Sequence, residues 1–109
     1  MFDLNYLHLK HFYHVAQLKS YTKASLELKI SQPTLSEQVK SLEKSIGNSL
    51  FKRNKGVLQL TEVGRHVFDE ATKIFKTGND LIKNINSGEY IQIKRLKIGV
   101  MNSIPKVIV

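Results

Sequence analysis

The chain is predicted to be mainly α-helical, with three short helices and a β-hairpin wing followed by one long helix. Three observations lead there. The stretch from residue 20 to 47, SYTKASLELKISQPTLSEQVKSLEKSIG, carries two helical patterns separated by a turn too tight to be a linker. Two short apolar segments follow, set around a polar tip that ends in Gly56. Apolar residues then recur at helical spacing from Thr61 to Gly88. A length of 109 residues allows one small domain with a modest core and an extension.

The first helix is expected over residues 5–18, where Leu9, Phe12, Tyr13 and Ala16 fall at i, i+3, i+4 and i+7 beside Val15. His8, His11 and His14 share that helix at steps of three. Each step turns the ring by 60° from the one before, so the three rings cannot converge on one ion. Surface or capping roles are expected instead, and no metal site. The second helix should start at Ser20 or Thr22 and stop near Leu28, with Tyr21, Ala24 and Leu28 inward. The small Ala24 and Ser25 permit a close helix crossing. Lys29, Ile30 and Ser31 make the turn, with Ile30 as its apolar plug and no glycine to help.

The third helix, residues 32–45, has marked ends. Ser31 suits the N-cap, Gln32 and Pro33 the first turn, and Gly47 the left-handed position beyond the last turn. Leu35, Val39, Leu42 and Ile46 form its buried stripe. The opposite face carries Pro33, Glu37, Lys40 and Lys44, flanked by Thr34, Ser36 and Ser41. A polar, short-chained surface that becomes cationic toward its end fits the DNA major groove, with Gln32 and Ser36 at base edges and later cations near phosphates.

The hairpin pairs 50–51 with 57–60 around Lys52, Arg53, Asn54, Lys55 and Gly56, with turn chemistry at 54–56 and three cations at or beside the tip. A basic hairpin behind a helix-turn-helix is a wing. Arg53 is its first choice for a phosphate or minor-groove contact, because guanidinium matches both. Thr61 caps the long helix, and Gly88 ends it. Val67, Ala71, Ile74, Gly78, Leu81 and Ile85 form one stripe, with Phe68, Phe75 and Ile82 alongside. About 25 residues make a rod of roughly 37 Å, longer than the preceding 60 residues could easily cover. These nine residues are therefore expected to form a homodimer interface, with Gly78 allowing close backbone approach.

Lys and Arg number 17 against 9 Asp and Glu, a formal charge of +8. The excess is concentrated at residues 1–60, with 9 basic and 4 acidic side chains, whereas 61–88 carry four of each. That field favours a polyanion such as double-stranded DNA. No apolar run approaches the roughly 20 residues of a membrane span, and MFDLNYLHLK lacks the regions of a signal peptide. Without cysteine there is neither a disulfide nor a thiolate zinc site, and a cytoplasmic location with no cofactor is expected. No set of nucleophile, base and oxyanion donors can be assembled, so an enzyme is not expected.

Leu9, Phe12, Val15, Ala16, Ser20, Ala24 and Leu28, then Ser31, Gln32, Pro33, Leu35, Ser36, Gln38, Leu42, Glu43 and Gly47, then Leu50, Phe51, Arg53, Leu60, Thr61 and Gly64 stand at a characteristic spacing without a gap. In these positions the chain resembles the N-terminal winged helix-turn-helix domain and linker helix of LysR-type transcriptional regulators. The resemblance implies a sequence-specific DNA-binding dimer paired through the linker helix, with a C-terminal effector-binding domain behind it. It implies base contacts at Gln32, Pro33, Ser36 and Glu37, and a backbone or minor-groove contact at Arg53. LNYLHLKHFYHV and LKIGVMNSIPKVIV further resemble the branch that activates sodium/proton antiporter genes.

The expected site adds Ser31, Thr34, Lys40, Lys52 and Lys55 as backbone or minor-groove contacts. Glu37 stands where many family members carry a basic or amide group. Its carboxylate would accept from cytosine N4 and repel phosphates, giving a different base preference. Ser25 replaces a common alanine and should bond back to a helical carbonyl.

The expected organisation is a DNA-binding domain at 1–60, a linker and dimerisation helix at 61–88, and the start of an effector domain at 89–109. In that last segment Leu96, Ile98 and Val100 alternate as a strand, and Pro105 begins a helix. The chain is thus read as a truncated regulator, whether natural or not, with any effector bound only by the part beyond it. The alternative function is a dimerisation module that pairs with full-length regulators without binding DNA alone.

Overall fold

The computed structural model describes residues 4–88. In order the elements are α1 (Tyr6–Leu18), α2 (Tyr21–Leu28), α3 (Gln32–Ile46), β1 (Phe51–Asn54), β2 (Val57–Leu60) and α4 (Glu62–Ser87). The strand and helix start expected within 89–109 lie outside the described residues. The chain divides into two compact units within α4, the first ending at Thr72 and the second beginning at Lys73.

Short polar side chains start the helices. The Asn5 Oδ1 accepts from the His8 N–H at 3.0 Å, the Ser20 Oγ from Lys23 at 3.0 Å, the Ser31 Oγ from Thr34 at 3.2 Å and the Thr61 Oγ1 from Gly64 at 2.9 Å. Each satisfies one of the N–H groups that the first helical turn leaves open. The turn between α2 and α3 manages without glycine because Lys29 itself takes the left-handed conformation, at φ 59°. The Ile30 N–H closes the turn on the Ser25 carbonyl at 3.1 Å, and the Ser25 hydroxyl donates back to the Thr22 carbonyl at 2.9 Å. α3 ends as its sequence predicts, with Gly47 at φ 85°.

The core of the first unit is built from Leu9, Phe12, Val15 and Ala16 of α1, Ala24 of α2, Leu35, Val39 and Leu42 of α3, and Leu50, Leu58 and Ala71. Burying each larger side chain stabilises the fold by about 2 kcal/mol. The wing is anchored through aromatic contacts: Phe51 lies 5.2 Å from Phe12 and 5.9 Å from Tyr21, ring centre to ring centre.

Two expectations need correction. The hairpin turn is narrower than 54–56: Asn54 still pairs with Val57 in the antiparallel ladder, leaving a two-residue loop of Lys55 and Gly56. Both take positive φ, 55° and 79°, which matches the twist of a tight hairpin. Lys52 and Arg53 therefore lie in the strand rather than at the tip. His11, expected at the surface or as a cap, is buried between α1 and α3, and its Nδ1–H donates to the Oε1 of Gln38.

The start of α4 packs on its own chain. Ala71 is only 1% exposed, and Phe68 stacks on Tyr13 with ring centres 4.5 Å apart. The Tyr13 hydroxyl also meets the Thr72 Oγ1 at 2.8 Å. Gly64 sits so close to the chain before the wing that an added Cβ would lie 2.1 Å from the Leu50 carbonyl oxygen. Of the expected interface stripe, Phe68 and Ala71 are thus engaged internally and Val67 is half-buried.

In the second unit Leu81, Ile82 and Ile85 are 56%, 58% and 54% exposed, with Ile74 at 36%. Phe75 and Gly78 are half-buried. A helix of this amphipathicity ordinarily buries its apolar stripe.

Candidate nucleic-acid interface

α1 and α2 support α3 from behind through Leu35, Val39 and Leu42, which turns the opposite face outward. On that face Ser31, Gln32, Pro33, Thr34, Glu37 and Lys40 are exposed and Ser36 is half-buried. The first turn is already organised by hydrogen bonds. The Ser31 hydroxyl donates to the Thr34 Oγ1 at 2.9 Å, which leaves the Thr34 proton for an outside acceptor such as a phosphate oxygen. The Gln32 Nε2 donates to the Thr22 Oγ1 of α2 at 3.1 Å.

The wing stands beside this helix because Glu43 holds it there. The Glu43 Oε2 accepts from the Leu50 N–H at 2.7 Å and the Phe51 N–H at 3.4 Å, joining the last turns of α3 to the entry of β1. A carboxylate receiving backbone N–H groups makes a charge-assisted bond, stronger than a neutral one. Between helix and wing lies an open cleft of about 410 Å³, lined among others by Gln32, Ser36 and Lys40 from α3 and by Lys52 and Arg53 from β1. Base-reading types and three cations therefore share one concave surface, as a duplex requires of a protein that meets both groove and backbone.

Tyr21 also lines this cleft. Burial pushes its phenol up to about 12, the Glu43 carboxylate adds to the shift, and the Arg53 guanidinium opposes it. The hydroxyl stays protonated at neutral pH and can donate. Arg53 is exposed, and its Nη1 donates to the Gly56 carbonyl at 3.2 Å, so the guanidinium is folded over its own turn. Lys55, on the loop, is exposed as well.

Three residues that hydrogen-bond to α3 or join it to the wing were not singled out for that from sequence: Thr22, Glu43 and His11. Glu43, one of the positions that carry the family resemblance, is the only acidic residue in 38–61, a stretch otherwise rich in lysine, and that isolation is a signal that could have marked its role. Among the described residues no three His, Asp or Glu side chains form a group able to hold a metal ion, and no helix is long and apolar enough to cross a membrane.

The family described as bacterial regulatory helix-turn-helix protein, lysR family, matches residues 6–65. Among curated relatives, HTH-type transcriptional regulator BudR of Klebsiella aerogenes is 33% identical over 96 residues, covering 88% of this chain and 67% of BudR. The RuBisCO operon transcriptional regulator of Allochromatium vinosum is 38% identical over 96 residues, 88% of this chain and 32% of that regulator. YcgK of Bacillus subtilis, an HTH-type transcriptional regulator, is 36% identical over 86 residues, 79% of this chain and 26% of its own length. The matched part is thus about a quarter to a third of the latter two relatives.

Among solved structures, the BenM DBD/catB site 1 DNA complex is similar with a TM-score of 0.73 at 28% identity, covering 77% of this chain and 93% of that one. A full-length OxyR variant from Pseudomonas aeruginosa gives 0.71 at 29% identity, covering 78% of this chain and 29% of OxyR. The three curated relatives are named as transcriptional regulators. The chain belongs to the LysR family of bacterial helix-turn-helix regulators, whose matched region contains α1, α2, α3 and the wing.

Proposed function

We propose that this chain binds double-stranded DNA sequence-specifically as the DNA-binding part of a transcriptional regulator. α3 enters the major groove, and the wing lies on the backbone or minor groove. The carrying observation is that Gln32 and Ser36 share a concave face with Lys40, Lys52 and Arg53, while Pro33 and Glu37 are exposed on the same helix. The similar BenM structure is a complex with DNA, and the formal charge of +8 favours the same kind of partner. Gln32, Pro33, Ser36 and Glu37 contact bases, while Ser31, Thr34, Lys40, Lys52, Arg53 and Lys55 contact the backbone or the minor groove.

A homodimer forms through the apolar face of α4, supported by the exposure of Leu81, Ile82 and Ile85. Two-fold symmetry then asks for half-sites about 10 base pairs apart, or a multiple of that. The organisation is a DNA-binding domain, a linker helix, and a following effector domain that holds any ligand. Acting on a bacterial chromosome, the protein works in the cytoplasm. The narrower assignment, to activators of sodium/proton antiporter genes, rests on LNYLHLKHFYHV and LKIGVMNSIPKVIV. A selective shift of an antiporter promoter fragment in a gel assay supports it, and equal shifts of unrelated promoters refute it.

The test is binding to random duplexes across a salt series, followed by selection of an operator. Gln32→Ala is expected to weaken the operator by about 1 to 3 kcal/mol and to relax one position. Arg53→Ala is expected to weaken all duplexes alike and to flatten the salt dependence by about one unit of slope. Equal losses on operator and random DNA for both variants contradict these roles. Mixed dimers with full-length regulators, formed without any duplex shift by this chain alone, favour the reading as a pairing module.

A further inference from the structure

Gln32 is exposed at the first position of α3, yet its side chain is tied down: the Nε2 donates to the Thr22 Oγ1 at 3.1 Å, ten residues back on α2. A primary amide offers two N–H donors on one nitrogen and lone pairs on one oxygen, all in a plane. Spending one N–H on Thr22 leaves a single N–H and the Oε1 for the groove. The Thr22 hydroxyl can hold either end of the amide, accepting from Nε2 or donating to Oε1, and by holding it fixes the plane in which an Oε1 acceptor and an N–H donor stand side by side for the groove.

The four bases answer that edge differently. Adenine presents an N6 donor beside an N7 acceptor, which complements one acceptor and one donor side by side. Guanine presents two acceptors, O6 and N7, and would set an oxygen against the Oε1. Cytosine supplies only a donor, and thymine an acceptor beside a methyl group.

We propose that Thr22 is a positioning residue that orients the Gln32 amide, and that Gln32 consequently reads adenine in each half-site. The proposal rests on α3 reading the major groove. Neither side chain belongs to the core, so their exchange tests recognition rather than folding. Thr22→Val keeps the shape of the side chain and deletes the hydroxyl. Thr22→Ser keeps the hydroxyl.

The experiment is selection from a random duplex library with the wild-type chain, Gln32→Ala, Thr22→Val and Thr22→Ser, each checked by thermal melting. The wild type is expected to enrich adenine at one position per half-site, and Gln32→Ala to erase that preference. Thr22→Val lowers the adenine-over-guanine ratio there by about tenfold, and preferences elsewhere in the site persist. Thr22→Ser restores it. A Gln32-dependent guanine or thymine in the wild type, or an unchanged ratio in Thr22→Val, overturns the inference and leaves groove reading standing. If no position depends on Gln32, both fall.

Discussion

Gly64→Ala is expected to destabilise the domain by about 3 kcal/mol, lowering its Tm by roughly 10 to 20 °C. The added Cβ would stand 2.1 Å from the Leu50 carbonyl oxygen, 2.9 Å from its carbon and 3.1 Å from the Leu60 Cδ2. Two of these atoms are backbone, so no rotamer change relieves the clash. The Leu50 carbonyl also accepts the Thr61 N–H at 3.0 Å, and the Thr61 hydroxyl donates to the Ser49 carbonyl at 2.7 Å. Moving the helix away from Leu50 loosens both bonds and with them the entry to the wing. Thermal unfolding followed by circular dichroism checks this, and an unchanged Tm would show that α4 does not approach Leu50 so closely. Alanine ordinarily favours a helix over glycine by about 1 kcal/mol, so the expected sign reverses the intrinsic propensity.

The second large effect concerns association. Leu81→Glu combined with Ile85→Glu places two carboxylates on the exposed apolar stripe of α4. Both side chains are more than half exposed, so the first compact unit should keep its Tm. Light scattering should report a monomer where the parent is a dimer. Affinity for a duplex with two half-sites should fall by about 100-fold or more, because the second contact ceases to be intramolecular. Affinity for a single half-site should hardly change. A double variant that still dimerises and still binds the paired site tightly would place the dimer contact elsewhere.

Much of this fold was legible in the order of the residues. Asn5, Ser20, Ser31 and Thr61 start four helices because a short oxygen-bearing side chain reaches N–H groups only three residues on. Gly47 stops α3 and Gly56 turns the hairpin because positive φ costs glycine little. The stripe of Leu35, Val39 and Leu42 identified the buried side of α3, and by subtraction the side left for a partner. These are local or periodic signals, complete within a few turns of chain.

Contacts between distant segments left no such trace. Glu43 meets the N–H groups of Leu50 and Phe51 across a chain reversal. His11 meets Gln38 across twenty-seven residues, where a surface or capping role is expected from sequence. The stacking of Phe68 on Tyr13 ties the first turns of α4 to their own chain across fifty-five residues. The extent of the hairpin turn also depended on pairing: Asn54 is a turn former by type but a strand residue by its bond to Val57.

The sequence by itself determined the elements, their order, their apolar faces and the family, since each follows from propensity and spacing along one chain. Only the tertiary structure decided which polar groups remain free to meet a partner. Hydrogen bonds such as Gln32 to Thr22 and Glu43 to the wing depend on three-dimensional distance, and that distance is fixed by packing rather than by separation along the chain.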